Sequence, residues 1–286
     1  MRKIKLLSLP IVVCLSLLGP LYGAAFEPQG MGARAQGMGG VFVAVADGSE
    51  DVYWNPAGLA YLHQPGITLS HKDLFGLGLL QYNAFSFVQP YLERGGMGFM
   101  ASQLSTTGEA GFLDYQENTY IFSYGYSLVA NFFIGASGKY YGVESEIKAG
   151  GLGADLALLK SFSHDQFLFG VLAQDVNQPN LRWDTGTIDK LPANLRAGAV
   201  YYFYDHNLVS LELDRLLEKN IEPHFGVESW FLEKIAALRL GGFKQRFGIN
   251  YSLGLGLRFK KVQLDYAWER HHKLGDTNTF SLSLIW

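Results

Sequence analysis

The sequence predicts an all-β fold, a transmembrane antiparallel β-barrel of about 14 strands, on the strength of three observations. Apolar and polar residues alternate with period two over most of the chain after residue 65. The longest connections between predicted strands follow odd-numbered strands, and the connections after even-numbered strands are mostly short. The first 25 residues have the composition of an export signal. Together these features indicate an exported chain that crosses a membrane with strands.

Residues 1–25 are predicted to be a cleaved signal peptide. Basic residues among the first five precede an apolar run over residues 6–21, and small residues follow at 23–25. A retained membrane anchor is the alternative, but Pro10 and Pro20 interrupt a run that is already short for a bilayer. The single cysteine, Cys14, lies inside the run, so the mature chain is expected to have neither disulfides nor thiol chemistry.

The composition excludes several classes of protein. Of the 286 residues, 14% are aromatic and 34 are glycine, while charged residues reach only 17%, against about 25% in typical soluble domains. Disorder, a coiled coil and a collagen-like fibre are therefore excluded. The chain carries a net charge of −3 and has no cluster of lysine and arginine beyond residue 5, so no nucleic-acid partner is expected.

Alternation marks the predicted strands, and it is clearest between Tyr251 and Phe259, where Leu253, Leu255 and Leu257 share one face. Most predicted strands run about 8–12 residues, which suits a tilted strand that crosses a bilayer. The predicted strands are 66–72, 79–89, 95–104, 117–127, 131–143, 147–160, 167–175, 193–203, 207–214, 221–231, 235–243, 249–259, 261–268 and 278–286.

The lengths of the connections support a membrane barrel over a soluble sandwich. The longest connections, 105–116, 176–192 and 269–277, all follow odd-numbered strands. Those after even-numbered strands are mostly tight, as at 128–130 and 232–234. Long external loops and short periplasmic turns produce this difference in an outer-membrane barrel. A sandwich has no reason to sort its loops in this way.

The apolar rows are expected to face outer-membrane lipid, which leaves a set of charged residues facing the lumen. Both signs occur on neighbouring strands, so pairing across strands is expected. Lining and bracing of the interior is the preferred interpretation, and a substrate role is the alternative. The predicted lumen charges are Lys139, Arg196, Glu212, Asp214, Glu228, Arg239, Arg258 and Asp265.

The last predicted strand ends on an aromatic residue, with Phe280 and Trp286 on the same face. This ending resembles the signal that the barrel-assembly machinery reads in outer-membrane proteins. The resemblance implies that this machinery is a partner during biogenesis.

Residues 26–65 do not alternate in the same way. The stretch Gly-Ala-Arg-Ala-Gln-Gly-Met-Gly-Gly over residues 32–40 is followed by Trp-Asn-Pro-Ala-Gly-Leu over residues 54–59. This pair of motifs resembles the N-terminal hatch of the FadL family of outer-membrane transporters for hydrophobic compounds, and it is especially similar to the short PorV/PorQ-like branch. The resemblance covers about 35 residues, and the barrel matches only in its pattern and strand number.

The resemblance implies a hatch, residues 26–65, that plugs a barrel formed by residues 66–286. The hatch motif would be Asn55, Pro56, Ala57 and Gly58, with the hatch glycines Gly37, Gly39 and Gly40. Glycines permit close packing, and proline holds the preceding residue extended. The family also has a kinked third strand that opens the wall, and Gly95, Gly96 and Gly98 are the candidates for it here. A helix-to-strand linker is the alternative to a hatch.

The function that the resemblance implies is passive passage of hydrophobic small molecules, such as long-chain fatty acids, across the outer membrane of a diderm bacterium. The chain departs from the long members of the family, because it is shorter and its external loops are small. The alternative is therefore a PorV-like component of the outer membrane, or a partner of secretion-system proteins, that transports nothing. A general porin is disfavoured by the plug.

No residue set indicates an enzyme, a cofactor or a metal site. The G-x-G-x-x-A match at residues 30–35 follows the predicted cleavage site instead of a strand, and no G-x-S-x-G is present. His271 and His272 lack a visible ligand set, so a solvated loop is preferred. The acidic stretch 47–51 lacks the ligand spacing of a calcium loop. The ligand and the oligomeric state stay open.

Overall fold

The computed structural model describes residues 25–106, 114–163, 165–204, 207–216, 221–245 and 248–286. The predicted signal peptide lies outside this range, except for Ala25. Three short helices come first in the described chain: α1 (Ala33–Gly37), α2 (Asp51–Trp54) and a 3₁₀ helix (Pro56–Ala60). Among the described residues, no helix combines the length and the apolar character needed to span a bilayer.

Sixteen strands follow in the described chain, and all of them belong to one sheet. They are β1 (Gly66–Leu74), β2 (Leu80–Leu92), β3 (Gly95–Thr106), β4 (Gln116–Val129), β5 (Phe132–Glu144), β6 (Ala149–Phe162), β7 (Phe167–Gln174), β8 (Asn180–Trp183), β9 (Ile188–Lys190), β10 (Asn194–Phe203), β11 (Asn207–Leu216), β12 (Glu222–Phe231), β13 (Ala236–Gln245), β14 (Gly248–Phe259), β15 (Val262–His271) and β16 (Gly275–Ile285).

The sheet closes on itself. Strand β1 pairs antiparallel with β2 on one side and with β16 on the other, and β5 pairs with β6. The short strands β8 and β9 form a hairpin within the connection between β7 and β10, which pair directly with each other. The remaining strands form a closed antiparallel barrel of 14 strands, which confirms the predicted all-β barrel and its strand number. Closure satisfies the backbone groups without leaving a free edge.

The barrel has two unlike ends. The end that holds the connection from β7 to β10 and the one after β3 is named the loop end. The opposite end, where Trp286 N donates a hydrogen bond to Pro65 O (3.1 Å), is named the turn end. The predicted long connection 269–277 is wrong, because Glu269 pairs with Thr277 and only residues 272–274 separate β15 from β16. Backbone pairing continues there through polar residues that hide the alternation in the sequence.

The two faces of the wall are opposite in polarity to those of a water-soluble sheet. On β14 the outward side chains of Leu253 and Leu255 are 50% and 54% exposed, whereas Ser252, which points inward, is fully buried. Outward leucines, phenylalanines and tyrosines recur around the ring. An exposed apolar band over a polar interior is the arrangement that lipid requires.

Residues 25–62 are named the N-terminal segment, and most of them are buried. Helix α1 contacts β13 to β16, α2 contacts β2 to β4, and the 3₁₀ helix contacts β2 to β6. Hydrogen bonds join the segment to β11 and β12 as well. Because these strands are distributed around the ring, the wall surrounds the segment on all sides.

Substituting arginine for leucine at position 255 tests the orientation of the wall. Leu255→Arg places a charge in the middle of the apolar band and is expected to lower the free energy of unfolding in lipid vesicles by about 2–4 kcal/mol. Ile249→Arg, at the loop end of the same strand, is the control, with an expected cost of about 0–1 kcal/mol. Denaturant unfolding of vesicle-inserted protein, followed by tryptophan fluorescence, measures both. Equal costs would contradict a lipid-facing band.

Candidate functional site: the lumen of the barrel

Inward-facing glycines allow the wall to touch the backbone of the N-terminal segment. A Cβ on Gly135 would lie 2.3 Å from Ala57 N, and one on Gly170 would lie 2.2 Å from Val43 O. A Cβ on Gly37, one of the predicted hatch glycines, would lie 2.9 Å from Gly254 Cα in β14. Side chains at these positions are excluded by space alone, so the glycines of the wall and of the segment form one contact surface.

The other two predicted hatch glycines lie in the turn that follows α1. Gly39 and Gly40 have φ of +72° and +73°, a conformation that L-residues rarely adopt. Gly39 O accepts a hydrogen bond from the His224 ring on β12 (2.7 Å). The turn therefore requires glycine for its backbone conformation, and it attaches the segment to the wall.

The predicted hatch motif lies at the start of the 3₁₀ helix. Asn55 is fully buried and extended, with φ of −165°, and Pro56 begins the helix. Asn55 Oδ1 accepts a hydrogen bond from Ala57 N (3.0 Å) and caps the helix. Asn55 Nδ2 donates to Val43 O (2.6 Å) and to Leu158 O on β6 (3.1 Å). The side-chain amide of Asn55 therefore connects two parts of the segment to each other and to the wall. Gly58, the last residue of the motif, lies buried beside Asp51.

Four charged residues form a chain across the interior. Arg34, on α1, makes two hydrogen bonds of 2.7 Å to the carboxylate of Glu228. Arg239 reaches the same carboxylate at 2.6 Å and reaches Asp265 at 2.7 Å. Both carboxylates lie on the wall and are almost completely buried. Buried charges persist only when they are paired in this way, so the chain holds α1 against the wall.

A second charged group holds the turn that follows α1. Glu212 on β11 accepts hydrogen bonds from the backbone N–H groups of Phe42 (2.9 Å) and Val43 (3.0 Å). Arg196 on β10 pairs with Glu212 at 2.6 Å and with Asp214 at 3.4 Å, and it donates to Gly40 O (2.9 Å). A carboxylate that binds two backbone donors fixes the direction of the chain there.

The remaining predicted lumen charges also point into the barrel. Lys139 lies 2.7 Å from Asp155 and 3.1 Å from Asp175. Arg258 donates to Gln263 and stacks over Trp230, 4.4 Å from the ring centre. Sequence reasoning missed Arg34, the residue that connects the segment to this network. Its position in the glycine-rich stretch is a usable signal, because a buried arginine among glycines requires an acidic partner.

One sector of the interior is apolar, contrary to the expectation that polar rows line the lumen. Leu159, Leu168 and Leu172 point inward from β6 and β7 and are buried. They pack with Phe42 and Trp54 of the N-terminal segment in one cluster. Alternation cannot reveal such a sector, because an inward leucine follows the same period as an outward one.

The predicted kink residues begin β3. A Cβ on Gly96 would lie 2.2 Å from Leu59 O, and one on Gly98 would lie 2.3 Å from Val52. Pairing with β4 runs without a register shift from Gly95 onward. Pairing with β2 shifts register between Gln89 and Leu92, opposite these glycines. Gly96 and Gly98 therefore make room for the segment, whereas a Cβ on Gly95 would lie 2.3 Å from Gly125 O on β4. The irregularity of the ladder lies on the β2 side.

The predicted assembly signal lies on the last strand. Phe280 faces outward with 54% of its side chain exposed, and Trp286 follows the strand at the turn end. Both positions are on the surface of the wall, where they are accessible to another protein or to lipid.

Two cavities lie at the loop end of the lumen. One, of about 80 Å³, is lined by Phe26, Tyr53, Tyr82 and Tyr141, together with Met100. The other, of about 400 Å³, has a mixed lining of aromatic and charged side chains. Residues of the N-terminal segment line both cavities. Apolar and aromatic surface therefore lines the lumen at the loop end.

Two carboxyl groups of the segment are buried. Asp51 is fully buried, and neither side-chain oxygen has a hydrogen-bond partner in the part of the chain that the structure describes. Burial raises the pKa of Asp51 well above its ordinary value and raises the pKa of Glu50 to about 7, while Arg34 opposes both shifts. Asp47 raises both values further. Burial therefore favours the neutral form of both groups.

The described residues of the lumen include no candidate metal site. Within the ranges that the structure describes, no group of three histidine, cysteine, aspartate or glutamate residues could hold a metal ion. His271 ends β15, and His272 follows it in the short connection to β16.

Solved membrane channels have the same fold as this chain. The CymD monoaromatic hydrocarbon channel matches with a TM-score of 0.62 at 15% identity, over 91% of this chain and 98% of that one. The Pseudomonas putida toluene transporter TodX matches with a TM-score of 0.62 at 13% identity, over 91% and 98%. A Pseudomonas aeruginosa FadL homologue matches with a TM-score of 0.62 at 11% identity, over 90% and 98%. No family model and no curated protein sequence matches.

At these identities the likeness defines the fold alone, an all-β, closed antiparallel barrel of 14 strands. The finer resemblance to the PorV/PorQ-like branch stays a prediction.

Gly135→Ala tests the contact between the wall and the N-terminal segment. The added methyl group would overlap Ala57, so the free energy of unfolding is expected to fall by about 1–3 kcal/mol. Gly138→Ala is the matched control on the same strand, because a Cβ there meets nothing within 4 Å. Denaturant titration in vesicles measures stability, and limited proteolysis reports release of residues 50–60. Equal behaviour of the two variants would contradict the packing described here.

The attachment of the segment is expected to weaken as the pH rises. The pKa of Glu50 is raised from an ordinary 4.5 to about 7, so its stabilising contribution is complete below pH 4.5 and is lost as the pH rises through 7. Hydrogen exchange of residues 40–60 between pH 5 and 8, corrected for intrinsic rates, measures the effect. Glu50→Gln should flatten the dependence, whereas Glu146→Gln, in the exposed connection after β5, should leave it unchanged. If Glu50→Gln does not alter the pH profile of exchange, the pH dependence arises from a different group.

Proposed function

We propose that this protein lets hydrophobic small molecules pass the outer membrane passively, without catalysing a reaction. The observation that carries the proposal is a closed, lipid-facing barrel with aromatic cavities above a segment that only non-covalent contacts hold. The names of proteins with the same fold, a monoaromatic hydrocarbon channel and a toluene transporter, support this class of cargo. Long-chain fatty acids are one candidate class of cargo.

The entry site in this proposal is the loop end of the lumen. Phe26 and Tyr141 pack with ring centres 4.7 Å apart, beside the smaller cavity. Transfer of an apolar molecule from water to such a surface is favourable by about 25 cal/mol for each Å² that is buried. Aromatic rings supply this area with little loss of side-chain entropy.

The N-terminal segment acts as the hatch in this proposal. Movement of residues 55–59 would open a path, because the 3₁₀ helix fills the lumen beside β3 to β6. The register shift between β2 and β3 lies next to this helix and is the candidate for a sideways exit. Bulges of this kind weaken the ladder locally and bend the strand.

We further propose that the chain reaches the outer membrane by means of a cleaved signal peptide and the barrel-assembly machinery. The exposed aromatic residues Phe280 and Trp286 support the second step.

A partner role in secretion is the second candidate function. The density of contacts between the segment and the wall favours it, since a filled lumen suits a protein that presents its surface to others. The short external connections, such as residues 75–79 and 272–274, favour it too. In this alternative the segment stays in place and nothing passes.

A disulfide that locks the segment to the wall separates the two functions. The hydroxyl oxygens of Ser49, on the segment, and Thr68, on β1, lie 2.7 Å apart. Ser49→Cys with Thr68→Cys, in the mature chain without other cysteines, should form a disulfide on oxidation. Oxidation is expected to lower uptake of radiolabelled toluene and oleate into proteoliposomes at least several-fold, and reduction should restore it.

The control pair is Ser123→Cys with Ser137→Cys, whose hydroxyls lie 2.8 Å apart on neighbouring wall strands β4 and β5. Oxidation of this pair locks wall to wall and should not change uptake. Uptake that persists through the oxidised Ser49–Thr68 lock would refute hatch movement. Uptake no faster than in protein-free vesicles would refute transport and leave the secretion partner.

A further inference from the structure

The outer wall carries a row of polar side chains where lipid should lie. His71, Asn83, Gln103 and Asn118 face outward on β1 to β4, and each stands directly opposite the next across the strand pairs. On the other side of His71 the same row continues through Phe280 on β16 and Tyr266 on β15, which are aromatic. The polar row is therefore confined to four strands.

The depth of the row follows from the length of β1. Nine residues at about 3.3 Å each, tilted by about 40°, climb roughly 23 Å, close to the 25 Å of an apolar band. His71 is the sixth residue, about 13 Å above Gly66 on the same estimate. Asn83 lies beside it at the same level. The next outward row toward the loop end is polar as well, so the row marks the loop-end border of the apolar band on these strands. That next row is Asp73, Gln81, Ser105 and Gln116.

Only part of the hydrogen-bonding capacity of the row is used internally. His71 Nδ1 and Asn83 Oδ1 lie 2.8 Å apart, and Gln103 Nε2 donates to Asn118 Oδ1 (3.0 Å). No residue of the described ranges bonds Asn83 Nδ2, Gln103 Oε1 or Asn118 Nδ2. At the border of the apolar band, next to hydrocarbon, these groups favour a polar partner from outside the chain.

The wall is concave at this place. Residues of β14 to β16 and of β1 to β4 line one groove of about 900 Å³ on the outer surface. Its apolar part includes Leu69, Phe85, Tyr120, Leu257 and Leu282, below and beside the polar row. The lining residues that the structure describes include no lysine or arginine.

We propose that this groove is a binding site for an uncharged amphiphile of the membrane, with a hydroxyl- or ester-bearing head on the polar row and an alkyl chain along the apolar wall. The volume lies in the range of small-molecule sites. A carboxylate is disfavoured, because no lysine or arginine of the lining would compensate a charge at this depth. A second copy of the chain is disfavoured, because two concave faces placed together leave the space unfilled.

A second groove on the same wall supplies an internal comparison. It measures about 480 Å³ and is lined by residues such as Tyr124, Ala136, Leu156 and Val171, without histidine, asparagine or glutamine. Bulk lipid would occupy both grooves alike, whereas a site for a polar head distinguishes them.

Photolabelling of the full mature chain in phosphatidylcholine vesicles tests the proposal. A diazirine-bearing monoacylglycerol is the probe, and a fatty acid with the same chain and diazirine is its charged counterpart. Monoacylglycerol adducts should concentrate on the first groove several-fold over the second, and fatty-acid adducts should not. Asn83→Leu with Gln103→Leu should lower labelling of the groove about tenfold, because two hydrogen bonds are lost.

A second pair of variants tests the apolar part of the groove by filling it. Ala101→Phe narrows the groove, whereas Ala199→Phe, outward on β10, is the matched control away from it. Only Ala101→Phe should reduce labelling. Equal labelling of both grooves, labelling unchanged in both groove variants, or cross-linked dimers through the groove would each overturn the proposal. None of these readouts depends on uptake, so the proposed transport function stands or falls separately.

Discussion

The need to satisfy backbone hydrogen bonds inside hydrocarbon governs this structure. A strand in lipid cannot bond to water, so every edge must find a partner, and β1 finds β16. Closure then divides all side chains into an outer set and an inner set. The outer set is apolar because it meets acyl chains. The inner set forms a space in which an irregular segment can run, since its polar groups bond to those of the wall.

The interior combines two kinds of attachment. Glycine contacts bring backbone against backbone, as between Gly37 and Gly254, and they leave no space for a side chain at these positions. Ion pairs such as Arg34 with Glu228 fix direction and depend on exclusion of water. A segment held in this way is firmly placed, yet each attachment is non-covalent. The same arrangement can therefore serve as a gate or as a filling, and the difference lies in the free energy of moving residues 55–59.

The outer surface is less uniform than its alternation implies. Around β14 the apolar band is continuous from Ile249 to Phe259, whereas at β1 it ends at Leu69, because His71 and Asp73 are polar. The sector with the shorter band is also the concave one. A wall with a polar row and a groove in the same place offers lipid molecules two different environments, which a smooth cylinder does not.

The sequence by itself determined the barrel, because alternation is a local pattern and each predicted strand overlaps a wall strand. It also placed the charged residues such as Glu212 and Arg239 on the inward face, since period two assigns the face of every residue. Only the tertiary structure decided which charges pair, that Arg34 joins them, and that leucines fill one sector of the lumen. Those facts depend on which strands face each other across the ring, and no local pattern records the distance between residues that are far apart in the chain.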